Sequence, residues 1–273
     1  MSTKDPYRTT DKLDDTVLHA IVTRLEARRT HPFFARMLQE YLDAMQIDTA
    51  TTVLDIGCGT GVVARTIAQR PGFAGTVTGI DLSPALVDVA TRLATEEGVS
   101  ARVTFRVGDT RRLDFPDAAF DGVVAHTLMN HVDDPVAVVK EAVRVVQPGG
   151  RVGIFDSDFS TIAFGYPNPA QGKSYDDALI KALVTNPRIM RQMPRVLRAA
   201  GLELIAAFPY VLADIGHADY WLASVESYRR LLPQGGTMTA AEADVWADAL
   251  LQDSEAGVFF GACNFYSYVA RRP

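Results

Sequence analysis

Residues 53–61, Val53-Leu54-Asp55-Ile56-Gly57-Cys58-Gly59-Thr60-Gly61, place an apolar β-branched run, an acid and three alternating glycines ahead of an apolar-periodic segment. Such a run predicts a buried strand, a tight turn and a helix start, the place where an α/β sheet binds a nucleotide-like ligand. In a dinucleotide turn, G-x-G-x-x-G, the third glycine falls where Val62 stands here. In this chain it comes one residue early, at Gly61, so the turn suits a ligand pressed against the backbone with no pyrophosphate to cradle. A second acid, Asp81, closes the next apolar run, where a carboxylate can accept hydrogen bonds from both hydroxyls of a ribose. A third, in Gly108-Asp109-Thr110, closes the run after that.

D-I-G-C-G-T-G resembles motif I of the Rossmann-like, class I S-adenosylmethionine-dependent methyltransferases. The run 120–132, FDGVVAHTLMNHV, is similar to the ubiquinone and menaquinone type within that class, the methyltransferase 11 group. The likeness covers roughly residues 50–156, with a looser continuation to the C-terminus. It implies S-adenosylmethionine as cofactor, with Gly57 and Gly59 against it. It further implies Asp81 on the ribose, Leu82 as an apolar shelf beside adenine, Asp109 at the adenine amino group, and the Thr110 backbone N–H at the ring. His126 is expected to meet the methionine part through its backbone carbonyl. Asp55 keeps two readings: a brace for the glycine turn, or a carboxylate that also faces the cofactor ammonium, since a buried carboxylate needs donors either way.

On the acceptor side, His126, His131, Asp156 and Asp158 all follow expected strand tips. His131 is the candidate general base, because an imidazole can take a proton from a hydroxyl or amine at neutral pH. The competing reading is that His131 only braces the loop. Asn130 stands where many relatives carry another histidine, so a two-histidine site is not assumed. His126, His131, Asp133, Asp134, Asp156 and Asp158 offer nitrogen and oxygen ligands of the kind a divalent ion takes. Asp133-Asp134-Pro135 reads instead as a helix N-terminus, and no metal site is expected.

Positioning these residues requires regular alternation of strand and helix, and the sequence supplies it. Strands are expected at Thr52–Ile56, 76–80, 103–107, 120–125 and 151–155, with helices opening near Val62, Pro84 and Pro135. The fold class that follows is α/β: a Rossmann-like, seven-stranded, mostly parallel sheet with helices on both faces and an antiparallel edge strand. Residues 1–12 read as loosely attached. Amphipathic helices then start near Asp14 and at Pro32, making 1–48 an N-terminal helical lid. Residues 49–273 form the methyltransferase domain, with cap insertions at about 158–188 and 214–256. The first insertion is rich in Pro, Gly and aromatics, and suits a cover over an apolar small molecule. A strand at 204–211 and a long final strand at 258–270 complete the pattern.

Composition bounds the partners. Of 273 residues 48% are hydrophobic and 22% charged, ordinary for a globular protein, and the formal net charge of -6 provides no basic face for nucleic acid. Arg28-Arg29, Arg111-Arg112 and Arg229-Arg230 read as solvated pairs. No apolar run is long enough for a membrane span, and Cys58 and Cys263 read as reduced small residues, so the cytoplasm is expected. The function that follows is methyl transfer to a small, largely apolar organic acceptor, a secondary metabolite or quinone-like molecule. The alternative is a cofactor-binding protein of the same fold recruited for other chemistry such as cyclisation. A nicotinamide oxidoreductase would allow Asp81, but the glycine spacing and Asp109 speak against it. Neither the acceptor, the atom methylated, nor the oligomeric state is written in the sequence.

Overall fold

A computed structural model describes residues 5–12, 15–234 and 236–273. Residues 1–4 and the expected helix start at Asp14 lie outside the described residues. A short 3-10 turn, Pro6–Lys12, precedes helices α1 (Asp15–Thr30) and α2 (Pro32–Ala44). The alternating units then run β1 (Thr52–Ile56), α3 (Val62–Gln69), β2 (Thr76–Asp81), α4 (Pro84–Glu96), β3 (Val103–Val107), β4 (Phe120–His126) and α5 (Pro135–Val145). The last part comprises β5 (Val146–Phe164), α6 (Pro169–Leu183), α7 (Ile189–Ala199), β6 (Glu203–Gly216), α8 (Tyr220–Gln234), α9 (Ala240–Glu255) and β7 (Phe259–Arg271).

Helix starts follow local chemistry. Pro32, Pro84, Pro135 and Pro169 occupy opening positions, where a missing N–H costs nothing. The Asp134 carboxylate accepts from Ala137 N at 3.0 Å, so the Asp133-Asp134-Pro135 run is a helix N-terminus. Thr239 and Glu242 form a capping box on α9.

The seven strands form one sheet, ordered β3-β2-β1-β4-β5-β7-β6. β1 to β5 are parallel, while β7 runs antiparallel between β5 and the outermost strand, β6. Two apolar layers enclose the sheet. One joins α2 and α3 to α6, α8 and α9; the other is built on α5 and α7. Order reverses between β1 and β4, which opens a crevice beyond their C-terminal ends.

Two expectations change. The fifth strand does not stop at Phe155: β5 continues to Phe164, paired with β7 to either side of a register break between Asp158 and Ala163. Part of the Pro/Gly-rich segment is therefore strand, and α6 follows it. The residues from Asp5 onward are also not loose, because the Asp5 side chain is buried and bonded. The two leading helices divide their work. α2 buries Phe34, Met37, Leu38, Tyr41 and Leu42 in the core, whereas α1 roofs the crevice.

Candidate active site

The turn after β1 begins with Gly57 and Cys58 both donating to the Ile80 carbonyl, at 2.8 and 3.0 Å. Gly57, Gly59 and Gly61 all have positive φ (69°, 54° and 77°), a conformation other residues adopt only with strain. A Cβ on Gly61 would stand 2.5 Å from the Phe105 ring, and one on Gly57 2.6 Å from Leu128 Cδ1. The third glycine is thus needed for packing on β3, and the first for the close approach of Leu128.

Parallel register carries the other expected residues to the same edge. Asp55 pairs with Gly79, Asp81 with Val107, and His126 with Phe155. Asp55, Gly57, Gly59, Asp81, Leu82, Asp109, Thr110, His126 and His131 all line one cleft. The Asp81 carboxylate accepts from Gly59 N at 2.8 Å and Ser83 N at 2.9 Å. Burial raises its pKa, and those backbone N–H groups partly offset the rise. Leu82 is an exposed apolar side chain in the wall.

Asp55 is buried, with Oδ2 accepting from Ala64 N at 3.2 Å and Oδ1 without any partner. The carboxylate braces the start of α3, not the glycine N–H groups. Desolvation lifts it to about 7, with Asp81 adding to the rise and the Ala64 bond opposing it. A buried carboxylate with a free oxygen facing a cleft is matched to a ligand carrying positive charge. The fit to S-adenosylmethionine therefore rests on this orphan oxygen and on the cleft that the glycine turn, Asp81 and Leu82 line beside it.

Asp109 is engaged already. Arg111 Nη2 donates to it at 2.8 Å and Arg111 N at 2.9 Å, which holds the carboxyl below its usual range. The Asx turn is real here, and Arg111 would compete with an adenine amino group for the same oxygens.

Beyond β4, His126 stacks on Phe155 (4.5 Å between centroids), and its Nδ1 lies 3.0 Å from the Tyr41 hydroxyl. Desolvation drops the His126 pKa to about 3, assisted by Arg28, so the ring is neutral. Thr127 has φ 53°, a strained value for a β-branched residue, and is held by its N–H on Phe155 O at 2.7 Å. Asn130 is a knot. Its side-chain NH2 donates to Asp156 Oδ1 at 2.8 Å and to Ser157 O and Oγ, and its backbone carbonyl accepts from Thr185 N and Asn186 N.

The contact that sequence reasoning missed is at His131. Its Nδ1 lies 3.0 Å from both oxygens of Asp5, and Tyr7 packs on the ring at 4.8 Å. Asp5 also accepts from Thr185 N and Oγ1, at 3.1 and 2.9 Å. Asp5 thus fixes the orientation of the His131 ring through Nδ1, and Nε2 is the nitrogen left for other partners.

Other expected side chains go elsewhere. Asp158 pairs with Arg191, and Asp133 with Arg8 and Arg111. Among the described residues, no three His, Cys, Asp or Glu side chains are grouped to hold a metal ion, and no helix is long and apolar enough to cross a membrane. Of the aromatics, Tyr7, Phe159, Tyr228 and Phe265 line the cleft. Phe164, Trp221, Trp246 and Phe259 build the core of the cap, and Tyr166 packs on Tyr175. Of the arginine pairs, Arg111, Arg112 and Arg230 are exposed as expected, whereas Arg29 is bound to Glu97, Arg229 is bound to Asp248, and Arg28 lines the cleft.

Comparison with known proteins agrees with this geometry. A family model described as a methyltransferase domain matches residues 53–150. The chain is 31% identical over 232 residues to an uncharacterized 37.1 kDa protein in transposon TN4556 of Streptomyces fradiae, covering 84% of this chain and 65% of that one. It is 30% identical over 182 residues to the demethylmenaquinone methyltransferase of Listeria monocytogenes, covering 63% of this chain and 76% of the enzyme. Against other curated relatives, among them a sterol 24-C-methyltransferase of Aspergillus fumigatus, the match spans as little as 32% of their length. Among solved structures, a candidate methyltransferase of Bacillus halodurans superposes with TM-score 0.62 at 20% identity, covering 86% of this chain and 98% of that one. The [4+2]-cyclase SpnF superposes with TM-score 0.57 at 24% identity, covering 88% and 82%. At those identities the superpositions speak for the fold alone.

Proposed function

Because this chain belongs to the class I S-adenosylmethionine-dependent methyltransferases, we propose that it transfers a methyl group to a small, largely apolar organic acceptor. The observation that carries the reading is the convergence of Asp55, Gly57, Asp81 and His126 on one cleft at the strand tips, with the Asp55 oxygen unpartnered. S-adenosylmethionine, when bound, supplies an electrophilic methyl on a sulfonium. Asp81 would hold it through ribose hydroxyls, Leu82, Asp109 and Thr110 through adenine, and Asp55 and the His126 backbone through the aminoacyl part. The apolar walls, Phe159, Leu183, Val184 and Phe265, exclude water and orient an acceptor, which is most of what an in-line displacement needs. His131, its ring fixed by Asp5 and Tyr7, takes the acceptor's proton at Nε2 where the acceptor has one to lose.

The named relatives support the acceptor class: one acts on a demethylmenaquinone, and another is a 27-O-demethylrifamycin SV methyltransferase. Two buried, unpaired cysteines suit a reducing compartment such as the cytoplasm. The second reading is a protein that keeps the cofactor but directs a cyclisation. It draws on Asn130 in place of a histidine and on the SpnF fold.

Calorimetry tests the binding half. S-adenosylhomocysteine should bind and NAD should bind far more weakly. Asp81→Ala should weaken S-adenosylhomocysteine binding by about 1.5–3 kcal/mol through the loss of charge-assisted hydrogen bonds. Methyl-labelled cofactor incubated with cell extract, read by mass spectrometry, tests the transfer half. Tight NAD binding with no response to S-adenosylhomocysteine refutes the reading, and bound cofactor with no labelled product favours the cyclase.

A further inference from the structure

The roof of the cleft contains a cluster that the transfer reading does not use. Arg24 and Arg28 lie four residues apart on one face of α1, and both line the cleft. Arg24 Nη2 donates to the Tyr228 hydroxyl at 3.2 Å, and Arg28 Nε to the Tyr220 hydroxyl at 3.0 Å. Each guanidinium also stands over a ring, Arg24 over Tyr228 at 5.5 Å and Arg28 over Phe34 at 5.4 Å. Among the described residues neither forms an ion pair. Other enclosed arginines donate to carboxylates or backbone carbonyls: Arg65 to Glu26 and Glu97, Arg70 to Asp48, Arg229 to Asp248, Arg151 to Met45 O and Arg272 to Val146 O.

Counting donors and acceptors makes the imbalance plain. A guanidinium can only donate, and each tyrosine hydroxyl spends acceptor capacity on its arginine, which leaves the phenolic protons to be given away. Arg24 Nε is buried with no partner at all. Burial works against ionising the Tyr220 phenol, yet the two cations outweigh it and hold its pKa below the ordinary value. A desolvated, donor-only cluster of this kind is costly unless an anion completes it.

We propose that Arg24, Arg28, Tyr220 and Tyr228 form an anion subsite, and that the methyl acceptor has a carboxylate or phosphate group that docks there. This rests on the transfer reading above and narrows its acceptor to a molecule with an apolar body and one anionic end. Phe265 and Leu231, in the same cleft, supply the apolar side. The aminoacyl carboxylate of the cofactor has the same chemistry, so the test must separate the two sources.

The test uses the full chain with inorganic pyrophosphate as probe, at ionic strength matched with sodium chloride. With saturating S-adenosylhomocysteine present, pyrophosphate should raise the wild-type Tm, as any ligand of the native state does. Arg24→Gln and Arg28→Gln should each cut that rise by at least half and the double variant should abolish it, while S-adenosylhomocysteine affinity stays within about threefold. Arg24→Lys, which retains the charge, should recover part of the response. Without pyrophosphate the Gln variants should melt at or above wild type, opposite to a purely structural role.

Absence of a pyrophosphate response in wild type overturns the proposal. So does a tenfold or greater loss of S-adenosylhomocysteine affinity in the Gln variants, which would assign the arginines to the cofactor. If wild type fails to bind S-adenosylhomocysteine, the transfer reading falls, and a surviving pyrophosphate response still supports an anion site.

Discussion

At Asp55 a single carboxylate is held between two demands. Burial lifts it to about 7 in the folded protein, whereas in the unfolded chain it returns to the usual aspartate value near 4. The folded state holds the proton more tightly, so this residue lowers stability as pH rises from about 4 through about 7. Asp55→Asn removes the titration. Its ligand-free Tm should exceed that of wild type at pH 8 and approach it near pH 5; a difference constant with pH would refute the assignment. His131 is the second residue to test. His131→Ala should slow single-turnover methyl transfer by about 10²–10⁴-fold, with cofactor affinity nearly unchanged. Asp5→Asn should slow it less and shift the pH profile, as a positioning residue would; an unchanged profile in both variants leaves alignment as the whole of the catalysis. The strand-tip residues were legible because each is written locally, as an acid or glycine closing an apolar run. Asp5 was not, since it lies 126 positions from His131, and Arg24 lies 204 from Tyr228. No spacing rule reaches across such distances.

Among the elements, the turn from β1 to α3 has the least freedom. Gly61→Ala would force a left-handed alanine and drive its Cβ into Phe105. These costs, about 1–2 kcal/mol for conformation and about 1–3 for overpacking, should together lower the Tm by several degrees in a calorimetric scan. Gly98 has φ 71° too, but nothing lies within 4 Å of its absent Cβ. Gly98→Ala should incur the conformational cost alone, and equal losses at the two positions would contradict the packing argument. The early strands were readable because parallel, doubly covered strands are written as apolar runs between turns. The extension of β5 past Phe155 was not. Asp156, Ser157 and Asp158 interrupt the apolar run, yet they are buried because β7 pairs alongside and Asn130 and Arg191 satisfy them. Tertiary partners overrode local polarity there.

Across the whole molecule, the cleft has an acidic floor, Asp55, Asp81 and Asp156, beneath a roof where Arg24 and Arg28 form no ion pair among the described residues. The roof comes from α1 and α8, and the segment 5–12 latches it to the loop after β4. Filling the cleft should tighten that latch. Amide exchange of residues 5–12 should slow on addition of S-adenosylhomocysteine, while exchange in α9, remote from the cleft, should not change; slowing spread evenly over both would mean general stabilisation only. The latch joins two things that could have been separate. The carboxylate that pins the segment 5–12 over the loop after β4 is the same one that fixes the His131 ring. Were that segment displaced, the imidazole would lose its Nδ1 partner, so cover and orientation stand or fall as one interaction.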